Sequence, residues 1–300
     1  MTVSRSRYEL LQSRLTVFTR MLRGVEEGRS RAVHRTRVAA RRLREVLPVL
    51  ELDSDVTRRL GRRLRRVTQQ LGTVRELDAL LLLVEAMGRS GRYDGTTLSR
   101  VAGAVAAERA DVRARKGSRL SNSELRRLAA KLEKVAEALA GEERGREASR
   151  GCRWAVDARV RHRADALRKA VDAAGSVYLA ERVHTVRIML KKFRYAAELK
   201  AEMSVDGAWA DDLAGLKRAQ RLLGSLRDRQ VLMDRVRQLQ ASLTPPDLGL
   251  WRALDSLLIA VETECRRLHA RYLRHAPDVI RWCDHIAGRA FDPAARQRAG

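Results

Sequence analysis

Three features of the 300-residue chain predict an all-α fold. Apolar residues recur at helical period through nearly every stretch, and no stretch alternates as a strand would. There are only five prolines, Pro48, Pro245, Pro246, Pro277 and Pro293, and four of them fall in the last 56 residues. Helices are expected over 5–24, 29–51, 54–88, 96–116 and 122–140, then over 146–174, 178–203, 208–241, 249–274 and 277–288. Asp53-Ser54 ahead of Val56, and Ser121-Asn122-Ser123-Glu124, carry the short polar side chains that cap helix N-termini. Thr244-Pro245-Pro246-Asp247 stops one helix and restarts the next, because proline supplies no amide hydrogen to a helical ladder.

The charge balance narrows the partners. Lys and Arg number 62 against 37 Asp and Glu, a net +25, and only eight of the cations are Lys. Residues 1–150 carry +15 and residues 151–300 carry +10, so the excess is not a tail. With 45% hydrophobic residues the chain can still bury a core, which argues against disorder. Such a chain calls for a polyanion: nucleic acid, a phosphate polymer or an acidic membrane surface. The longest apolar run, Ala79 to Val84, is far below the ~20 residues of a membrane span. Met1-Thr2-Val3-Ser4-Arg5 leads into an amphipathic pattern with no signal-peptide core. Cys152, Cys265 and Cys283 are isolated, which fits a reducing compartment and leaves no zinc ribbon or disulfide framework. A soluble cytoplasmic protein without a membrane partner is the expectation.

An internal repeat gives the organisation. Val33-His34-Arg35-Thr36-Arg37-Val38-Ala39-Ala40-Arg41-Arg42-Leu43-Arg44 matches Val183-His184-Thr185-Val186-Arg187-Ile188-Met189-Leu190-Lys191-Lys192-Phe193-Arg194 at an offset of 150. Both read V-H-x-x-R-[VI]-x-x-[RK]-[RK]-[LF]-R. Downstream, Leu71-Gly72-Thr73-Val74-Arg75-Glu76 matches Leu223-Gly224-Ser225-Leu226-Arg227-Asp228 at an offset of 152. Two copies a few helices long predict two related bundles, residues 1–145 and 146–300, with 117–151 as the join.

At about 100° per residue the repeated helix divides into two arcs. With His34 at zero, Arg37, Arg41 and Arg44 fall at roughly 280–340° and Arg42 near 80°, while Ala39, Ala40, Leu43, Val46, Leu47 and Leu50 fall at roughly 120–240°. In the second copy His184, Arg187, Lys191 and Arg194 form the stripe, and Val186, Leu190, Phe193 and Ala197 face away. A charged arc opposite an apolar one is ordinarily a solvated face. Solvated faces mix signs, however, because opposite charges at i,i+4 attract and like charges repel. Here neither stripe holds an acid, and the arrangement recurs in the second half. An anionic ligand lying along a ladder about 15 Å long relieves that repulsion.

The doubled H-x-x-R-[VI]-x-x-[RK]-[RK]-[LF]-R helix, followed about forty residues on by L-G-x-x-R-[DE], resembles the CHAD family (conserved histidine α-helical domain) over approximately 5–285. The resemblance implies two four-helix bundles facing across a basic channel, and binding of inorganic polyphosphate rather than catalysis. It also implies recruitment to polyphosphate granules. Many relatives carry a fused triphosphate-tunnel domain marked by E-x-E-x-K on a strand. Glu262-Thr263-Glu264-Cys265-Arg266 comes nearest and lies in a helical stretch, so the chain resembles a stand-alone member. Carried over by position, the ligand-facing residues are His34, Arg37, Arg41, Arg42 and Arg44, with His184, Arg187, Lys191, Lys192 and Arg194 as counterparts. Tyr195 matches the family's Arg-Tyr ending, where the first copy has Glu45.

The chemistry agrees with that implication. Arg forks suit non-bridging phosphate oxygens and Lys acts as a point charge. His34 and His184 lack ligating partners at i+3 or i+4, and the surrounding cations repel a divalent ion, so no metal is expected. An imidazole among guanidiniums has a depressed pKa. That leaves a hydrogen bond to phosphate, a structural contact at the bundle seam, or proton transfer as its roles. His162, His269, His275 and His285 fit no pattern and read as surface or interface residues. Arg75 and Arg227 either pair with Asp78 and Asp228 near the core or reach the anion path. Gly72 and Gly224, costly inside helices, read as sites of close helix approach. The alternative function is low-specificity nucleic-acid binding, although the aromatics, only 4%, are scattered and offer no stacking platform. An enzyme acting on phosphate polymers comes third, for want of clustered carboxylates to hold Mg²⁺. No cofactor is expected.

Overall fold

Asp53 illustrates how local chemistry sets the helices: its carboxylate accepts the amides of Asp55 and Val56 at 2.8 and 3.0 Å, capping the next helix as expected. The computed structural model describes residues 5–116, 122–142, 150–204, 209–244 and 247–289. Among these, the elements are α1 (Arg7–Arg20), α2 (Leu22–Glu26), α3 (Ser30–Val46), a 3₁₀ turn (Leu47–Val49), α4 (Ser54–Arg89), α5 (Gly95–Lys116), α6 (Asn122–Glu142), α7 (Arg150–Ala174), α8 (Ala180–Met203), α9 (Ala210–Ala241) and α10 (Leu248–Arg289). No strand occurs among the described residues, so the fold is all-helical. None of their helices is long and apolar enough to cross a membrane.

Three boundaries differ from expectation, the simplest being the helix expected over 29–51, which ends at Val46 and passes into the 3₁₀ turn Leu47–Val49. The first expected helix, 5–24, divides at Met21, whose amide turns back to the carbonyls of Phe18 and Thr19. The bend lays α2 tightly on α3: a Cβ at Gly24 would lie 2.6 Å from that of Ala32. At the other end the expected break before Pro277 does not occur, and α10 runs through it. An interior proline forfeits one helical hydrogen bond and costs about 3 kcal/mol. Tyr272 on one side and Val279, Cys283 and Ile286 on the other are all buried in the same core, and that burial offsets the loss.

Among the described residues, two cores hold the helices. The larger joins Leu10, Leu15 and Phe18 of α1 to Leu43 and Val46 of α3, to α6 and α7, and to Val186, Leu190 and Phe193 of α8. The smaller joins Leu77, Leu80 and Val84 of α4 to Val101 of α5, Leu232 of α9, and Leu254 and Val261 of α10. The apolar arcs of the repeated helix are therefore buried as the sequence predicts, Ala39, Ala40, Leu43 and Val46 in α3 and Val186, Leu190, Phe193 and Ala197 in α8. Helix α6 lies within the segment read as a join, yet Leu125, Leu128 and Leu132 place it in the larger core. The division between residues 145 and 146, and the cap at Ser121, lie outside the described residues. Helix α3 packs on α4, α8 on α7 and α9, and the two halves meet where α3 touches α8 and α4 touches α9.

Candidate anion-binding site

The contact of α3 with α8 brings the two cationic rows together. Arg37 and Arg41 of α3 lie beside Arg187 and Lys191 of α8, close enough for their charges to act on one another. Burial, and then the charges of Arg41, Arg187, Arg37 and Lys192, push the Lys191 amine down to about 7. Burial with Arg41, Arg75 and Arg187 brings Arg37 down to about 10, against the pull of Glu76. Arg37 Nη1 donates to the carbonyl of Gly72 at 3.1 Å. The Nε atoms of Arg37 and Arg187 are buried with no hydrogen-bond partner among the described residues. Arg37, Arg41 and Arg44 line a polar cleft of about 410 Å³ with Arg65, Thr68, Gln69, Gly72, Thr73 and Glu76 of α4.

The repeated histidines sit at the edge of this cluster. His34 Nδ1 accepts a hydrogen bond from Arg75 Nε at 3.1 Å, which fixes the ring as neutral with its proton on Nε2. Burial, then Arg75, Arg37, Arg41 and Arg35, hold its pKa below the ordinary value. His184 is lowered the same way, by burial and then by Arg227 and Arg187, and its Nδ1 is buried without a hydrogen-bond partner among the described residues. Arg75 and Arg227 thus stand beside the equivalent histidines. The expected Arg75–Asp78 pair is absent, because Asp78 is taken by Arg109 of α5 at 2.7 Å. Among the described residues two acids do reach the cluster: Glu76 acts on Arg37, and Asp228 acts on Arg187. Burial raises the Asp228 pKa, and Arg187, Arg75 and Arg229 oppose the rise.

Other residues named from the sequence are tied within the protein. Glu198 receives Arg42 at 3.0 Å and also Arg194. Arg194 Nε donates to Gln220 at 2.7 Å, and its guanidinium lies 4.6 Å from the centre of the Tyr195 ring. Arg194 and Tyr195 are 7% and 6% exposed, so both face the packed interior instead of an open path. Glu45, in the place of Tyr195, is buried and binds Arg159 and Arg163 of α7 at 2.6 and 3.2 Å. Arg44 and Lys192 stay half-buried, their basicity lowered by burial first, with Arg163 adding to the effect at both. Among the described residues, a Cβ at Gly224 would meet nothing within 4 Å, and one at Gly72 would meet only the Arg37 guanidinium, at 3.5 Å. Neither glycine marks a close helix approach. His269 is buried between Tyr178 and Tyr272, not at the surface. Among the described residues no three His, Cys, Asp or Glu side chains are placed to hold a metal ion.

Arg65, Thr68, Gln69 and Thr73 escaped the sequence reading. Their signal was present: Arg65, Gln69 and Gly72 recur at i, i+4 and i+7, opposite the buried Leu60, Leu64, Val67 and Leu71.

The profile of the CHAD domain matches residues 9–237. The chain belongs to the CHAD family. Its fold is similar to the crystal structure of the CHAD domain from the plant Ricinus communis, with a TM-score of 0.65 at 20% identity over 91% of this chain and 93% of that one. It is also similar to PptA from Streptomyces chartreusis, with a TM-score of 0.55 at 21% identity over 96% of this chain and all of the other. No curated protein sequence matches.

The low Lys191 pKa makes stability depend on pH. Unfolded, the amine titrates near 10.5; folded, near 7, so between those values the unfolded chain holds a proton that the folded chain lacks. The Lys191 contribution therefore makes the folded state gain stability as pH rises from about 7 to about 10, by a few kcal/mol. Lys191→Met is expected to flatten that rise in melting temperature and to stabilise the protein most below pH 7. Parallel melting profiles of the two proteins would contradict this.

Proposed function

We propose that the protein binds inorganic polyphosphate without turning it over, holding the polymer between α3 and α8. The observation that carries this reading is the facing of Arg37 and Arg41 with Arg187 and Lys191, four basic side chains whose positive charge is made unfavourable in the free protein by burial and by one another. A chain of phosphates supplies one anion per step, satisfies the unpartnered arginine Nε atoms and turns the repulsion into attraction. Family membership points the same way. In this reading the two halves are related four-helix bundles: α1, α3, α4 and the α5–α6 pair correspond to α7, α8, α9 and the long α10, and the basic channel lies at their contact.

The paired histidines position the site. Neutral His34 holds Arg75 by its Nε, leaving the guanidinium's remaining N–H groups for phosphate. Binding in this way would place the protein on cytoplasmic polyphosphate deposits. The test is direct titration with long-chain polyphosphate over about 50 to 500 mM salt. The expected result is tight binding that weakens linearly in log–log form as counterions are released, with the polymer's length distribution unchanged after prolonged incubation with Mg²⁺. Shortening of the polymer would overturn the non-enzymatic part; absence of binding at the lowest salt would overturn the whole.

A further inference from the structure

The two halves of the anion path are not equivalent. The cleft face of α4 is marked by Arg65, Gln69, Gly72 and Glu76. Stepping back from Arg65 by three and seven residues puts Arg62 and Arg58 on that same face, and Arg66 borders it. Arg58 is held by Asp55. Arg62, Arg65 and Arg66 are exposed and have no acidic partner among the described residues. No acid lies between Asp55 and Glu76 on the helix. Arg65 in turn lies near Arg44, so the row is continuous with the α3 ladder.

Helix α9 offers a shorter row: Lys217, Arg218 and Arg221 are exposed there, but Ala214 stands where α4 has Arg62. Residues 58–69 carry +6, whereas the matching 210–221 carry +1, with Asp211 and Asp212 in the first turn and Asp212 engaged by His285 at 2.6 Å. Where α3 and α4 part around Arg44 and Thr68, the counterparts Arg194 and Gln220 are hydrogen-bonded at 2.7 Å, and Glu198 locks Arg194 in place. The opening on the first half is bridged on the second.

We infer that the anion path leaves the α3–α8 contact on one side only, along the first half of α4, where Arg62, Arg65 and Arg66 form an outer subsite for the continuing phosphate chain. The inference rests on the polyphosphate reading above and adds a requirement for length. A short oligophosphate is satisfied within the cleft. A long chain gains the outer row, about 10 Å further from Gln69 to Arg62.

The test compares long-chain polyphosphate with tripolyphosphate on the full-length protein at about 150 mM salt. Arg62→Glu with Arg66→Glu is set against Arg218→Glu with Arg221→Glu, which makes the same charge change on exposed positions of α9. Glu retains high helix propensity, and equal far-UV circular dichroism and melting confirm that both fold. The α4 pair is expected to weaken the long chain about tenfold or more and tripolyphosphate by less than about threefold, while the α9 pair weakens either by less than about threefold, since two phosphate contacts are lost in the first case only. Equal losses from the two pairs, or an equal loss for short and long chains, would overturn the one-sided path and leave the central site standing. A wild-type protein that binds neither ligand would remove the polyphosphate reading itself, and the outer subsite with it.

Discussion

Reversing Arg37 and Arg187 together to Glu is expected to lower polyphosphate affinity at least a hundredfold at about 150 mM salt. Each charge-assisted contact contributes about 1.5–3 kcal/mol, and two are replaced by repulsion, so a loss of about 3–6 kcal/mol follows. Stability should hold or rise, because the substitution dilutes a cluster in which Arg37, Arg41, Arg187 and Lys191 repel one another. The matched control, Arg266→Glu with Arg267→Glu, removes the same charge from two exposed residues of α10. It should change affinity by no more than about threefold, the size of a screened long-range effect. Isothermal titration with a melting curve for each variant reads both quantities. Equal losses in the two variants would mean that net charge alone governs binding.

The second large effect is on stability. Glu198 has an 11% exposed side chain and is the shared anion of Arg42 and Arg194, the latter itself 9% exposed at the side chain. Removing one partner of a buried ion pair leaves an uncompensated charge, and Glu198→Ala is expected to cost about 3–5 kcal/mol. Replacing Glu198 and Arg194 together with Met should recover much of that loss, since apolar side chains of similar volume carry no desolvation penalty. Urea melts of the single and double variants decide the matter. A single-variant loss below about 1 kcal/mol would show the cluster to be solvated in practice.

Those two predictions rest on features that were unequally legible in the sequence. The fold class was open to view, because helical period and the scarcity of proline are local properties. So was the division of α3 and α8 into buried and cationic arcs, since a helix's own geometry fixes which residues share a face. The offset repeat then implied that the two cationic faces are related. Whether a given cation on such a face is free depends on a neighbour supplied from elsewhere in the chain. Arg194 belongs to the stripe by angle, yet Glu198 one turn later and Gln220 from α9 draw it into the interior. Asp78 was lost to Arg75 because α5 brings Arg109 to it. The continuity of α10 through Pro277 likewise depends on burial on both sides of the proline, a tertiary property that a local rule does not see. The α4 face with Arg62, Arg65 and Gln69 was readable from period alone, and was obscured by six arginines in nine residues spread around the helix.

The most direct measurement is a competition on the purified protein, with long-chain polyphosphate set against double- and single-stranded nucleic acid at matched charge over about 50 to 500 mM salt. In the proposed reading Arg37 and Arg41 of α3 with Arg187 and Lys191 of α8 hold a thin chain of bare phosphates, so polyphosphate should win by about tenfold or more, most clearly at high salt where unshaped attraction is screened. Equal affinities that collapse together as salt rises would contradict the account and describe a generic polycation, for which nucleic acid serves as well.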